Sequence, residues 1–248
     1  MKFLTKLKLT TFTISALLSC SSISLAKIPQ IHQIAQMENT NNSAPQQSSL
    51  PFSDIEKNVY KSEIIRAWEL KIIAGFPDGT FAPNKPVTRE QAISMIVDAI
   101  STMTTVDLNA KPTRPVRLFT DVPSDRWSAQ KIAWAQWNIF PTGTLTGKFR
   151  PTENITRSEL VDFLRKSAEM LKVKAGRSPA LTPTQQPINF SDVSGYNQQL
   201  TLQMSAYCQI ASPVNEKGNK FAPTKPVQRD YTAAAIVRTL KCVENDTK

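Results

Sequence analysis

The chain has 248 residues, of which 40% are hydrophobic and 20% are charged, and its formal net charge at pH 7 is +10. This composition is typical of a soluble globular protein, and no stretch is long and apolar enough to remain as a membrane span. The single histidine, His32, lies before the repeats described below, which excludes Ser-His-Asp and Cys-His catalytic arrangements in the folded region.

Other kinds of reactive site find little support in the sequence. No cysteine or histidine cluster has the spacing of metal ligands, and the seven glycines include no phosphate-binding loop. The sequence does not exclude a pair of carboxylates for glycoside hydrolysis, although nothing in it places two acids in one cleft. The lysines and arginines are scattered, which does not favour a nucleic-acid partner. We therefore predict a protein that is not an enzyme and has no cofactor and no metal.

The N-terminus predicts an export signal. Three lysines precede a short apolar run at residues 9–18, and two alternative cleavage sites follow. The segment Leu17-Leu18-Ser19-Cys20 resembles a bacterial lipobox, in which Cys20 becomes a lipidated N-terminus. The segment Ser24-Leu25-Ala26 is a small-x-small site for ordinary signal peptidase. We predict residues 1–26 as a signal peptide and residues 27–51, rich in Gln, Asn, Ser and Pro, as a flexible tether; both alternatives place the protein in the cell envelope.

Three copies of one unit follow the tether. A Phe-(Ser/Thr)-Asp phrase recurs at steps of 67 and 71 residues, and a later Phe-x-Pro phrase recurs at steps of 68 and 72. The first phrases begin at Phe52, Phe119 and Phe190, and the second at Phe81, Phe149 and Phe221. Two markers that move in step indicate an internal repeat. We predict repeat 1 at 52–101, repeat 2 at 119–172 and repeat 3 at 190–242, with linkers at 102–118 and 173–189 and a tail at 243–248.

Each repeat has the pattern of two helices joined by a loop. In repeat 1, Ile64, Ile65, Trp68 and Ile72 mark one helical face, residues 75–80 predict a turn, and a second helix begins at Thr88. The apolar residues Ile93, Ile96, Val97 and Ile100 follow the i, i+3, i+4, i+7 pattern. We expect core positions for the helix tryptophans Trp68, Trp134 and Trp137. Because such short helices cannot bury their apolar faces alone, three pairs packed around one axis would do so.

Helix starts carry a second local signal. The spacings Thr88-x-x-Gln91 and Thr156-x-x-Glu159 predict capping boxes. Repeat 3 has Gln228 in the place of the threonine, which predicts a weaker cap.

Two cysteines remain after either cleavage. An even pair in an exported chain favours a disulfide between Cys208 and Cys242, with two buried free thiols as the alternative. We expect Cys208 near the end of one helix and Cys242 just past the end of the next.

These phrases together resemble the S-layer homology (SLH) module of exported bacterial proteins. Repeat 1 carries Phe-x-Asp, an aromatic first helix, Gly-Phe-Pro-Asp-Gly-Thr-Phe-Ala-Pro at 75–83 and Val-Thr-Arg-Glu at 87–90. Repeat 2 matches at residues 119–123, 127, 149–151 and 155–159, and repeat 3 is the most divergent. The resemblance implies a mainly α-helical fold in which three tandem helix-loop-helix SLH modules pack as a pseudo-three-fold bundle.

The resemblance also implies a function. SLH trimers anchor exported proteins to the cell wall by binding a wall-linked secondary polysaccharide, often one that carries acidic pyruvyl groups. The family's ligand contacts, carried over, are Arg89, Arg157 and Arg229, with Trp127, Tyr60 and, by a looser alignment, Tyr196, and the loop residues Asp78 and Gly79. With a lipid on Cys20, such a protein would hold a membrane to the wall. The alternative function is an adaptor or assembly protein whose bundle binds an envelope protein.

Physical arguments bear on the three arginines. An arginine in the first turn of a helix opposes the helix dipole, yet it recurs in all three repeats. A helix N-terminus with free N–H groups and a guanidinium is a good anion site. The alternative is that each arginine pairs with an acid, such as Asp54, Asp121 or Asp192, and only stabilises its repeat.

Overall fold

The computed structural model describes residues 50–110, 119–140 and 147–248. The predicted signal peptide, Cys20, His32 and nearly all of the predicted tether lie outside these residues, as does most of the second half of the first linker. Within the described ranges the chain forms six α-helices and no β-strand, and the prediction of a mainly α-helical bundle is confirmed. The helices are α1 Lys61–Glu69, α2 Arg89–Ser101, α3 Ala129–Asn138, α4 Arg157–Lys174, α5 Gly195–Ala206 and α6 Arg229–Thr247. None of the described helices has the length and apolarity that crossing a membrane requires.

The long helices α2, α4 and α6 pack against one another at the centre of the bundle. The main partner of each short helix is the long helix of the repeat before it: α3 packs on α2, α5 on α4, and α1 on α6. The last contact closes a ring, because it joins the end of the chain to its first repeat. No repeat is therefore a self-contained unit, and the apolar face of each short helix is buried by its neighbour.

A small ring of backbone hydrogen bonds lies where the three long helices begin. Val87 N donates to Val227 O at 3.0 Å, Val227 N to Ile155 O at 2.9 Å, and Ile155 N to Val87 O at 3.0 Å. All three side chains are fully buried. Each repeat thus donates one hydrogen bond and accepts one, which is the pattern that a pseudo-three-fold axis requires.

The Phe-x-Asp and Phe-x-Pro phrases meet within each repeat. In repeat 1, Asp54 accepts hydrogen bonds from the backbone N–H groups of Phe81 and Ala82, each at 2.8 Å. Asp121 and Asp192 make the same pair of bonds in repeats 2 and 3. The two phenylalanine rings of each repeat pack in a tilted arrangement, with ring centroids 5.3–5.4 Å apart. Among the described residues these aspartates form no ion pair with the arginines of the helix starts, so none of the three acids named above is the partner of such an arginine.

The tryptophan expectations hold only in part. Trp134 is buried as predicted, and Trp137 is half-buried. Trp68 is instead 46% exposed, and its ring packs edge-to-face with that of Phe52 at a centroid distance of 6.4 Å. The buried face of α1 consists of Ile64 and Ala67, and the next residue along a helix is turned about 100° from that face.

The capping predictions are confirmed. Thr88 with Gln91 and Thr156 with Glu159 form capping boxes, whereas Gln228 makes no side-chain cap bond.

The C-terminal end differs from its prediction. Cys208 and Cys242 form a disulfide, but Cys242 lies inside α6, which continues to Thr247. The predicted tail at 243–248 is therefore mostly helical. Its last turn is held by an ion pair between Asp246 and the buried Lys172 of α4.

Candidate functional site

The arginine that begins each long helix binds the next repeat in the ring. Its Nε donates to the carbonyl oxygen of the phenylalanine in the next Phe-x-Pro phrase. The pairs are Arg89 and Phe149 at 2.7 Å, Arg157 and Phe221 at 2.7 Å, and Arg229 and Phe81 at 2.8 Å. We call these contacts junction 1–2 (α2 with repeat 2), junction 2–3 (α4 with repeat 3) and junction 3–1 (α6 with repeat 1). All three nominated arginines thus hold the ring together.

Arg89 and Arg157 are occupied by protein groups. Arg89 is 1% exposed, and its Nη1 donates to Glu159 at 2.7 Å. Burial lowers the pKa of Arg89, and the charge of Glu159 opposes that shift. Arg157 is 6% exposed, its Nη2 donates to Ser212 O at 2.8 Å, and its guanidinium lies 3.7 Å from the ring centroid of Tyr231. A ligand has no open path to either guanidinium in this conformation.

Arg229 is the most accessible of the three. It is only partly buried, and its guanidinium lies 4.6 Å from the ring centroid of Phe81 and 5.0 Å from that of Phe76. Phe76 is itself 37% exposed, and Nζ of Lys85 lies 4.7 Å from its ring centroid. Burial lowers the pKa of Arg229, and the charge of Asp54 opposes that shift. Junction 3–1 therefore presents two cations and an aromatic ring at the surface.

The helix starts are not free anion sites, and that expectation is wrong. In α2, Arg89 N donates to Glu153 O at 2.9 Å and Glu90 N donates to Pro151 O at 3.1 Å. The first two N–H groups of α4 and of α6 are bonded in the same way by the loop of the following repeat. The loop that carries each Phe-x-Pro phrase folds over the preceding helix start, which leaves no N–H group there for a ligand.

The predicted aromatic contacts divide into two kinds. Trp127 and Tyr196 are 62% and 57% exposed, whereas Tyr60 is 1% exposed and packs on the ring of Tyr231, with centroids 5.9 Å apart. Burial raises the pKa of Tyr60. Its ring cannot meet a sugar in this conformation.

The expectation for Tyr60 fails because Tyr60 and Trp127 differ by one residue in their position relative to the helix start. Tyr60 is the N-cap of α1, and the N-cap of α3 is Ser128. The residue that precedes the cap is Val59 in repeat 1 and Trp127 in repeat 2, and both are exposed. Counting back four residues from the first buried isoleucine of each helix would have found this register.

The predicted loop residues lie next to Phe76. Asp78 accepts two hydrogen bonds from Thr80, which lower the pKa of its carboxyl. Gly79 has a φ of +78°, in the left-handed region that favours glycine, and its N–H donates to Phe76 O at 3.0 Å. The structure thus brings Asp78 and Gly79 into the loop of junction 3–1, while Trp127 and Tyr196 lie at the other two junctions.

Sequence reasoning missed a second contact at every junction. The residue after each arginine bonds to the start of the next short helix: Glu90 to Arg126 and Ser128, Ser158 to Asn197, and Asp230 to Asn58. The signal for it was a polar residue at the same helix position in all three repeats. Within the described ranges, no group of histidine, cysteine or carboxylate side chains could hold a metal ion.

Comparison with known proteins points to one family. Residues 51–93 match the family model of the S-layer homology domain. The chain is 28% identical over 193 residues to an amylopullulanase of Thermoanaerobacterium thermosulfurigenes, covering 77% of this chain and 9% of that protein. It is 27% identical over 216 residues to the surface-layer 125 kDa protein of Lysinibacillus sphaericus, covering 82% and 16%. It is 24% identical over 129 residues to the cellulosome-anchoring protein of Acetivibrio thermocellus, covering 52% and 28%.

One SLH domain is therefore found, and its relatives include surface-layer and anchoring proteins. The chain spans less than a third of the length of each of these three relatives.

Proposed function

We propose that this protein is a non-catalytic anchor that binds an acidic, wall-linked polysaccharide in a bacterial cell envelope through three tandem SLH modules. The observation that carries the proposal is junction 3–1, where Arg229 and Lys85 lie on the exposed ring of Phe76. The match of residues 51–93 to the SLH domain supports the family assignment. The equivalent bonds of Asp54, Asp121 and Asp192 support three modules of one kind.

The chemistry of junction 3–1 suits an acidic sugar. A guanidinium forms strong charge-assisted hydrogen bonds with a carboxylate such as that of a pyruvyl group. Nε and Nη2 of Arg229 donate hydrogen bonds to the carbonyl oxygens of Phe81 and Ala74. The side chain makes no ion pair with any carboxylate of the described residues. Its guanidinium thus has no carboxylate paired to it by a salt bridge, while Phe76 offers an apolar face beside it for the sugar ring.

The other two junctions would contribute differently. Trp127 and Tyr196 offer exposed rings, and aromatic faces stack on the apolar face of a pyranose. A ligand contact by Arg89 or Arg157 requires a conformation in which Glu159 or Ser212 no longer occupies the guanidinium. In the proposed complex these two arginines chiefly maintain the shape of their junctions.

The proposal includes export and a route to the membrane. Residues 1–26 would direct export, and a lipid on Cys20 together with the tether at 27–51 would connect the bundle to a membrane. The predicted repeat boundaries at 52–101, 119–172 and 190–242 are the proposed modules.

The experiment is a pull-down of the full chain with sacculi purified from the bacterium that produces it. Intact sacculi are compared with sacculi stripped of covalently linked polysaccharide. The test variant is Lys85→Gln, because the Lys85 side chain makes no hydrogen bond within the described structure and the fold should survive. The matched control is Arg66→Gln, an exposed cation of α1 that is 57% accessible and lies outside the junctions.

We expect binding to intact sacculi only, weakened about 3–10-fold by Lys85→Gln and unchanged by Arg66→Gln. Equal binding to stripped sacculi would contradict a polysaccharide ligand. Absence of binding to both would overturn the anchor and favour the adaptor that binds an envelope protein.

A further inference from the structure

A single carboxylate holds the residues on both sides of the exposed Trp127. Glu90, the second residue of α2, accepts hydrogen bonds from Nε and Nη2 of Arg126, each at 2.7 Å. It also accepts one from Oγ of Ser128 at 2.7 Å. Because Arg126 and Ser128 flank Trp127 in the sequence, Glu90 of repeat 1 restrains the backbone of repeat 2 before and after the indole.

These bonds are well placed to resist movement. Glu90 is 6% exposed and Ser128 is fully buried, whereas Trp127 is 62% exposed. Burial opposes the ionisation of Glu90, but hydrogen bonds from Arg126, Ser128 and the Trp127 side chain, together with the charge of Arg126, outweigh it and lower the pKa of Glu90. The carboxylate is therefore charged at neutral pH, and a bidentate guanidinium pair is directional as well as strong. Solvent reaches the indole but scarcely reaches the group that restrains it.

The other two junctions lack this arrangement. At junction 2–3, Ser158 bonds to Asn197, which is only one of the two neighbours of Tyr196. At junction 3–1, Asp230 accepts from Asn58 at 2.9 Å, and the exposed neighbour there is the aliphatic Val59. Junction 1–2 thus combines the most exposed aromatic side chain of the described residues with restraint on both sides.

We propose that Glu90 is a positioning residue for ligand binding, which holds Trp127 so that its indole presents one face to a pyranose ring of the polysaccharide. The inference rests on the proposed function, because it assigns a sugar-binding role to Trp127. A ring that is ordered before binding loses less conformational freedom when the ligand arrives, so preorganisation raises affinity without adding a contact. Glu90 itself need not touch the ligand.

The first test observes Trp127 without any ligand. The full chain, labelled with 5-fluorotryptophan, should give four ¹⁹F resonances for its four tryptophans, and Trp127→Phe identifies one of them. In Glu90→Gln we expect that resonance alone to move and narrow, because an amide in place of one carboxylate oxygen opposes a donor of Arg126. The second variant, Arg126→Gln, lies at a partly exposed position and should have the same effect.

The matched control is Asp98→Asn. Asp98 pairs with Lys131 at 2.7 Å and joins the same two helices, α2 and α3, but it does not contact the neighbours of Trp127. If Glu90 only held the two helices together, the control would change the Trp127 resonance as well. An unchanged Trp127 resonance in both Glu90→Gln and Arg126→Gln, or an equal change in Asp98→Asn, would overturn the positioning role.

The second test is a double-mutant cycle on binding to intact sacculi. We expect Glu90→Gln to weaken binding about 3–10-fold when Trp127 is present and to have no further effect in Trp127→Ala. Equal weakening in both backgrounds would show that Glu90 does not act through Trp127 and would overturn the inference. If the unmutated chain does not bind sacculi, the proposed function fails, and the ligand-free ¹⁹F result still distinguishes that failure from a failure of the Glu90 restraint.

Discussion

Nη1 of Arg89 donates a hydrogen bond to Oε1 of Glu159 at 2.7 Å, which joins the first residue of α2 to the third residue of α4. The other carboxylate oxygen of Glu159 accepts from Thr156 N and completes the capping box of α4. One side chain therefore caps its own helix and pairs with the arginine of the preceding repeat.

The residue at this third position differs among the long helices, and so does the state of the arginine that faces it. Glu159 of α4 pairs with Arg89, and Tyr231 of α6 lies under the guanidinium of Arg157. The third residue of α2 is the neutral Gln91, whose side chain caps its own helix. The equivalent residue of α2 thus offers no carboxylate to Arg229, which makes no ion pair among the described residues and is only partly buried.

Glu159→Gln should destabilise the fold. The amide keeps the shape of the cap but removes the charge that faces the buried Arg89, and we expect a loss of about 1–3 kcal/mol in the free energy of unfolding. Urea denaturation followed by circular dichroism measures it. The control is Glu153→Gln, which removes an exposed pair with Arg150 and should cost less than about 0.5 kcal/mol. Equal losses in the two variants would show that the Arg89 pair does not stabilise the bundle.

The same pair predicts a dependence on pH. Burial opposes the ionisation of Glu159, but hydrogen bonds from Thr156 and the charge of Arg89 outweigh it and lower its pKa. A carboxyl whose folded pKa lies below its unfolded value stabilises the fold fully above about pH 4.3, and this stability is lost as the pH falls through the folded pKa. We therefore expect the difference in unfolding free energy between the unmutated chain and Glu159→Gln to shrink as the pH falls from about 5 through the folded pKa of Glu159. A difference that is constant over this range would contradict an ionised Glu159 as its source.

Ala82→Gly should stabilise the fold. Ala82 has a φ of +54° while its N–H donates to Asp54, and a side chain in this region is strained where glycine is not. We expect a net gain of about 0.5–1 kcal/mol in the free energy of unfolding. This is less than the strain relieved, because glycine gives the unfolded chain extra conformational freedom. Ala133→Gly, inside α3, is the comparison and should lose about 1 kcal/mol. Destabilisation by both substitutions would mean that the strain at Ala82 is too small to matter.

The disulfide should contribute substantially to stability. Cys208 and Cys242 are separated by 34 residues, and closing a loop of this size is worth about 3–4 kcal/mol in the loop-entropy model. Thermal unfolding with and without reductant measures it, and the melting temperature of the unmutated chain should fall when reductant is present. The double variant Cys208→Ala with Cys242→Ala should melt at the same temperature in both conditions. If the melting temperature of the unmutated chain were the same with and without reductant, the prediction would be contradicted.

Local features of the fold could be predicted from the sequence because their signals are local. Thr88 with Gln91 identifies a helix start, and the recurring phenylalanine phrases identify the repeat. Helical periodicity identified Ile64 of the apolar face of α1 but wrongly included Trp68, and it does not show which helix covers that face. The packing of α1 on α6 joins residues about 170 positions apart, and no pattern within a repeat encodes such a choice of partner.

The candidate site was harder to predict than the fold. The position of Arg229 was found from its motif, but its partial exposure depends on how the loop of repeat 1 packs against it. Tyr60 was misplaced by one residue, and on a helix start one residue decides between a buried ring and an exposed one. The role of Glu90 depends on Arg126 and Ser128, which lie 36 and 38 positions away, so only the folded structure could relate them.

Val59→Trp should strengthen binding at junction 3–1. Val59 precedes the cap of α1 as Trp127 precedes the cap of α3. Because Val59 is 53% exposed, a tryptophan side chain can be accommodated there without displacing the core. The new indole would lie at the junction that carries Arg229 and would add an aromatic face beside its cation. We expect binding to intact sacculi to tighten about 3–10-fold, measured by the bound fraction as sacculi are titrated.

The matched control for this gain is Val173→Trp. Val173 is 56% exposed near the end of α4, and it lies far along the helix from the junctions at its start. A tryptophan there adds the same apolar surface without adding to a junction, so binding should not change. Equal tightening by the two variants would indicate non-specific adhesion, and no gain from Val59→Trp would argue that the ligand does not reach the start of α1.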